Sequence, residues 1–417
     1  MEIQPDNRIV VAGWRHCMVG QTADIQFMTA RFTANGDFDS TFGGSGVLFT
    51  PLLALGEGAW GVVLQPDGTI VITGNTGGTR RDDPTPQEPP AGVALLRHTS
   101  TGNIDPTFGD AGIQSLRFAP DAGEVLGTIS SMGDDRSNVI LTGQAGDLLY
   151  LAKFGFEDGA LDATFGTNGL FYIGEELNCR RGQAVAFQSN QPAPSRIIVV
   201  GESLLADFQT GICVAGVTPS GQLDVSFGAG GILQFEVPVT GINGGHVGLQ
   251  IDPMDRSIWL AATTFVGAEV EVGIFHALPD GAHDAAFGGG RGQLSFTVDG
   301  YRRVYASSLV IQPDGKLVVG ASFAVPETLP PYATPLVMRL RRDGSLDPSF
   351  GQAGIVTLPD VARTHWSYPV KVSLQRQGGI IVVGTGYGAT GLDPDFSYAF
   401  ISRITSEGEI DAAFGPR

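Results

Sequence analysis

Asp-x-x-Phe-Gly occurs seven times along the chain, at Asp39–Gly43, Asp105–Gly109, Asp162–Gly166, Asp224–Gly228, Asp284–Gly288, Asp347–Gly351 and Asp411–Gly415. Successive phenylalanines of the motif lie 57 to 66 residues apart. A unit of about sixty residues is therefore repeated from end to end, the signature of a solenoid, a propeller or an array. This regularity constrains the architecture far more tightly than it constrains the activity.

Residues 292–351 show the unit most clearly. Two apolar runs, Gln293–Val298 and Ala306–Ile311, precede the turn Gln312-Pro313-Asp314-Gly315. Two more, Lys316–Gly320 and Leu336–Leu340, precede the closing Asp343–Gly351 segment. Short β-rich runs bounded by Gly, Pro and Asp predict a four-stranded antiparallel meander. Pro-Asp-Gly between two of them predicts a tight hairpin, because proline presets φ and glycine accepts positive φ. The same turn precedes Arg8–Val11 and Thr69–Ile72, and degenerate copies precede Val139, Ile197, Ile258 and Ile380. Two motifs thus count to seven independently. Sheets of this size bury both faces only by packing on one another, so residues 1–417 read as a single all-β, seven-bladed β-propeller, with an open solenoid as the alternative.

The pattern Gln-Pro-Asp-Gly-Lys-(apolar)₃-Gly, followed by Arg-x-x-x-Asp-Gly-x-Leu-Asp-x-x-Phe-Gly, resembles the delta-60 repeat of bacterial proteins. That repeat is similar in turn to the NHL-type propeller blade. Residues 311–320 and 336–355 carry the best copies, while Met254-Asp255-Arg256 departs from the consensus. The resemblance implies a propeller and usually an exported or surface protein, and it implies no particular enzyme activity. An NHL-like strand order makes the runs before Pro-Asp-Gly the inner strands and those after Phe-Gly the outer ones. The terminal blades are then short of strands. Ring closure with incomplete blades, a homodimer through exposed blade edges and a lost partner segment are the alternatives.

Composition narrows the partners. A net charge of −18 with only 25 Lys and Arg argues against nucleic-acid binding, which needs concentrated positive charge. No apolar run reaches the length of a membrane span. The first residues, Met1–Asp6, lack the basic and apolar regions of a signal peptide. Cys17, Cys179 and Cys213 show no metal-type spacing and are too few for a disulfide framework; Cys213, in an apolar run, reads as a small buried hydrophobe.

Seven repeated aspartates invite a ligand ring, but a carboxylate at this spacing caps the backbone N–H groups that follow it. Uniformity marks scaffolding. The turns at Pro-Asp-Gly and Phe-Gly share one face of the disc, so function is expected on the opposite face, where loops vary. That face collects Trp14, Trp60, Arg181, Arg303, Tyr305, Trp366 and Tyr368, residue types enriched at binding hot spots. They predict a binding module for a glycan, peptide or small organic ligand. The alternative is an ester or phosphoester hydrolase with a polar pocket at the channel mouth. Its sharpest form is a divalent-metal site from His246, His365 and Glu124, which precede three inner strands. His98 and His276 lie beside strands and read as structural; His283 takes the Leu position of a degenerate copy.

Overall fold

The computed structural model describes all residues except 20–21, 52–55, 77–91, 118–124, 133–137, 147, 175–176, 191–192, 205–209, 240–246, 267–268, 326–331, 359–363, 389–396 and 416–417. The chain is an all-β, seven-bladed β-propeller of four-stranded antiparallel blades, the last showing three strands among the described residues, and no α-helix occurs among them. Repeat one comprises β1 (Glu2–Ile3), β2 (Ile9–Val19), β3 (Thr22–Phe32) and β4 (Val47–Pro51). Repeat two comprises β5 (Gly56–Leu64), β6 (Ile70–Thr76), β7 (Gly92–His98) and β8 (Ile113–Arg117). Repeat three comprises β9 (Val125–Met132), β10 (Asn138–Ala145), β11 (Leu148–Gly155) and β12 (Leu170–Ile173). Repeat four holds β13 (Arg180–Asn190), β14 (Ala193–Leu204), β15 (Thr210–Val217) and β16 (Ile232–Val239). Repeat five holds β17 (Gly248–Ile251), β18 (Ile258–Val266), β19 (Glu269–Ala277) and β20 (Gln293–Phe296). Repeat six holds β21 (Arg302–Ile311), β22 (Leu317–Val325), β23 (Tyr332–Leu340) and β24 (Ile355–Thr357). The last has β25 (Thr364–Leu374), β26 (Ile380–Gly388) and β27 (Ser397–Ile404).

Two compact units divide these strands, Met1–Glu202 with Cys213–Val225, and Ser203–Ile212 with Ser226–Arg417. The division falls inside repeat four. In the first unit, β5 packs on β9 and β9 on β13; in the second, β17 packs on β21 and β21 on β25. Within each unit the first strands of successive repeats therefore adjoin, as inner strands do.

Core formation follows from the two-residue period of a strand. Ile70, Ile72, Ala94 and Leu96 pack toward repeat one, against Val10, Phe27 and Phe42. Val71, Val93 and Leu95, which alternate with them, pack toward repeat three, against Val139, Leu141 and Tyr150. The second unit repeats this scheme, with Val319 and Met338 on one side and Val318 and Val337 on the other. Each middle strand is buried on both faces, which is why its sequence is continuously apolar rather than alternating.

The constant-face turns explain the repeated motif. Oδ1 of Asp39 accepts the backbone N–H of Thr41 at 3.0 Å and its hydroxyl at 2.6 Å. The same capping recurs at Asp105, Asp162 and Asp347 with Thr107, Thr164 and Ser349. The other carboxylate oxygen receives a cation, a role the sequence reading left unassigned. Arg31 Nε donates to Asp39 Oδ2 at 2.7 Å, and Arg339 Nε to Asp347 Oδ2 at 2.8 Å. Arg97, Lys153 and Arg403 do the same for Asp105, Asp162 and Asp411. Lys153, with Thr164, draws the Asp162 carboxyl down to about 2. Each arginine also covers the motif phenylalanine, with Arg31 4.7 Å from the Phe42 centroid and Arg339 4.6 Å from that of Phe350. For Arg31 and Arg339 the remaining nitrogen reaches the next repeat: Arg31 Nη1 donates to Ser100 O and Arg339 Nη1 to Ser406 O, each at 2.5 Å.

The glycine of the motif completes that joint. Gly43 N–H donates to Thr101 O at 2.8 Å, and Gly351 N–H to Glu407 O at 2.9 Å. Opposite it stands Gly102, with φ of 91°, where an added Cβ would lie 2.8 Å from Gly43 N and 3.0 Å from the Phe42 ring. Gly102→Ala therefore combines a left-handed backbone with a clash against backbone. We expect it to cost at least about 2 kcal/mol, read as a lowered urea midpoint, whereas Gly44→Ala, which meets nothing nearby, should pay the backbone strain alone.

Candidate functional site

The candidate residues lie within strands rather than in loops. Trp14 and Arg15 belong to β2, which runs on to Val19, so the expected loop at this point is a long hairpin. Trp60, Arg181, Arg303 and Trp366 share a feature that the sequence reading missed. Each sits where an inner strand departs from regular pairing. Trp60 is the extra residue between Ala59, paired with Gly74, and Gly61, paired with Thr73. Arg303 is the extra residue between Arg302 and Val304. Arg181 lies in the irregular stretch between Arg180 and Ala184, and Trp366 in that between Thr364 and Ser367. A β-bulge re-aims the inserted side chain, and bulges concentrate beside functional sites. Arg181 and Arg303 also carry φ of 51°, a left-handed backbone that non-glycine residues adopt only when their surroundings impose it. The available cues were Gly58 and Gly61 around Trp60, and Gly182 after Arg181.

In the first unit the bulge builds an aromatic pair. Ala59 packs into the core toward repeat one, and Trp60 turns to the same side, which regular alternation would forbid. Its ring meets Trp14 with centroids 5.0 Å apart and planes tilted by 48°. Gly58 makes room, since a Cβ there would stand 2.3 Å from the Trp14 ring. Trp60 remains 37% exposed while Trp14 is half-buried. The pair is thus one supported, solvent-facing ring. Arg15, the next residue along β2, lies 3.6 Å above the Phe49 ring and donates from Nη2 to Gln26 Oε1 at 2.8 Å.

Arg181 belongs to repeat four of the same unit, where its Nη1 stands 3.9 Å from buried Glu202. The cysteines depart from the sequence expectation. Cys179 and Cys213 form a disulfide, with Cα atoms 5.5 Å apart. Cys213 is indeed buried, but as half of a cross-link that anchors the start of β13 to β15. In the second unit Arg303 is exposed and Tyr305 half-buried on β21, while Trp366 and Tyr368 lie on β25 with side chains outside the described part. Of the expected metal ligands, Glu124 and His246 lie outside the described residues, as does the side chain of His365. Among the described residues no cluster of metal-ligating side chains occurs, and no helix is long and apolar enough to cross a membrane.

A family model described as "Domain of unknown function (DUF5122) beta-propeller" matches residues 4–42 and 312–350. Both segments run from the glutamine of a Gln-Pro-Asp turn to the motif phenylalanine, Phe42 or Phe350, so the chain is similar to a propeller repeat family there. No curated protein matches the sequence. Among solved structures, the chain is similar to a polysaccharide lyase PL25 ulvan lyase bound to -[GlcA(1-4)Rha3S]-, at 9% identity over 100% of this chain and 95% of that one, TM-score 0.46. It is also similar to Sqt1 from Chaetomium thermophilum, at 10% identity over 98% and 81%, TM-score 0.46. A protein from Lactobacillus plantarum shows 13% identity over 97% and 94%, TM-score 0.44. At these identities the likenesses extend no function to the chain.

Proposed function

We propose that the protein is a glycan-binding propeller and that Trp60, backed by Trp14, stacks on a sugar ring. The observation that carries this reading is the bulge in β5, which takes a large aromatic out of the core register and leaves it facing solvent. Burying the exposed part of such a ring against a partner is favourable. A net charge of −18 favours a neutral glycan over a polyanionic one. The disulfide supports a location outside the reducing cytoplasm, in keeping with the surface role that the delta-60 resemblance implies.

A panel of neutral soluble polysaccharides in affinity electrophoresis tests the reading. Trp60→Ala should weaken retardation at least about tenfold, with a modest fall in melting temperature from the lost Trp14 contact. Trp60→Phe, which keeps a ring there, should hold the stability while still weakening retardation. Equal retardation of wild type and variant, or no retardation by any member of the panel, would remove the proposal.

A further inference from the structure

The aromatic pair and one buried histidine lie along the same seam between repeats one and two, the pair beside Thr73 and Gly74 of β6 and the histidine beside Ile70 at its other end. His98 closes β7 and is 1% exposed. Its counterparts, which make the same bridge beside the motif, are Phe32, Phe154, Val217, Ala277, Leu340 and Ile404. A titratable ring thus stands where the other repeats place an apolar side chain. Its edge meets Phe42 of repeat one, with centroids 6.1 Å apart. Neither ring nitrogen makes a hydrogen bond of good geometry, and only the backbone of Gly102 and Asn103, with no carboxylate, stands near enough to favour a proton there. The charged groups on the surrounding elements are already paired, Arg31 with Asp39 and Arg97 with Asp105. Buried His276 differs in this respect, because its Nδ1 lies 2.8 Å from Asp284 Oδ2, a carboxylate that can meet a proton on the ring.

We propose that protonation of His98 loosens the seam between repeats one and two, and with it the Trp14–Trp60 pair, so that acidification releases the ligand. Release rests on the glycan-binding reading; the acid-sensitive joint does not. Burial holds the His98 imidazole down from 6.5 to about 4, outweighing the backbone of Gly102 and Asn103, which favours the charged form. The sign follows. The unfolded side chain takes up its proton near 6.5 and the folded one only near 4, so the stabilising contribution is complete above 6.5 and falls away as pH drops between those values. Between pH 7 and pH 5 this linkage amounts to a change of about 20-fold in the opening equilibrium.

Hydrogen exchange of the full chain at pH 7 and pH 5, corrected for intrinsic rates, measures the joint without any ligand. Peptides covering Phe42 and β7 should lose about 20-fold in protection, while those covering β10 and β11 should not. His98→Phe, which installs the residue of repeats one and three, should abolish the difference; His98→Leu serves if that variant does not fold. Acrylamide quenching of the Trp60 signal, taken as wild type minus Trp60→Phe, should rise on acidification only when His98 is present. Equal acid response with and without His98 would overturn the joint, whereas failure of every polysaccharide to bind at pH 7 would overturn only the release.

Discussion

Replacing Asp347 by alanine should destabilise the protein by about 3 kcal/mol. Four interactions converge on this carboxylate. Oδ1 accepts from the Ser349 hydroxyl at 2.8 Å and its N–H at 3.2 Å, while Oδ2 takes Arg339 Nε at 2.8 Å and Lys316 Nζ at 3.1 Å. Both Asp347 and Arg339 are buried, so truncation leaves a guanidinium enclosed without its anion. Asp314→Ala supplies the comparison. That carboxylate is exposed, 3.4 Å from the same lysine, and should cost less than about 1 kcal/mol. Equilibrium urea unfolding of the two variants reads the difference; equal midpoints would contradict the staple. The pH dependence has a definite sign. Burial alone would raise the Asp347 carboxyl, but the Ser349 hydrogen bond and the Lys316 and Arg339 charges prevail and hold it well below 3.8. Its contribution is therefore present above 3.8 and is lost only as pH falls far beneath that value. Acid sensitivity between pH 6.5 and 5 therefore does not arise from Asp347.

The same staple shows what a sequence can and cannot disclose. Blade number and strand order were legible because each rests on a motif copied seven times. The arginine eight residues before the aspartate was equally visible at Arg31, Arg97, Arg339 and Arg403, yet its bridge to the next repeat needs three dimensions. Repeat four makes the point physically. Gly216 stands at its cation position, and Arg196, from β14, supplies the guanidinium instead, 2.7 Å from Asp224 Oδ2. No fixed spacing reveals that substitution, because neighbouring strands bring distant residues together. Repeat five departs further. His276 replaces the arginine, and the link runs backward from Arg342 of repeat six to Asp252 at 2.5 Å and Asp255 at 2.9 Å. The candidate site was legible as residue types but not as geometry. Trp60 and Arg303 were singled out for their chemistry, whereas the bulges that expose them depend on a pairing register at which the glycines around Trp60 only hint and which nothing beside Arg303 marks.

Loss of the Cys179–Cys213 cross-link should be the other large effect. The bond closes a separation of 34 residues, for which the loop-entropy relation gives about 4 kcal/mol of stabilisation, exerted mainly on the unfolded chain. Both sulfurs are fully buried, so a reductant must wait for local opening. Dithiothreitol alone should accordingly leave the native protein unchanged for long periods at room temperature. It should lower the urea midpoint strongly once unfolding exposes the bond. The double variant Cys179→Ala/Cys213→Ala separates chain entropy from chemistry, since it should show the low midpoint with or without reductant. The cross-link also fixes the residues flanking Arg181, whose φ of 51° and that of Asn178, 49°, lie in a region the free chain avoids. Its removal should therefore raise hydrogen exchange at the start of β13 more than in β5 and β6, which carry the Trp60 bulge. A variant with an unchanged midpoint and uniform exchange would show that packing alone holds that segment, leaving the cysteines with no structural role.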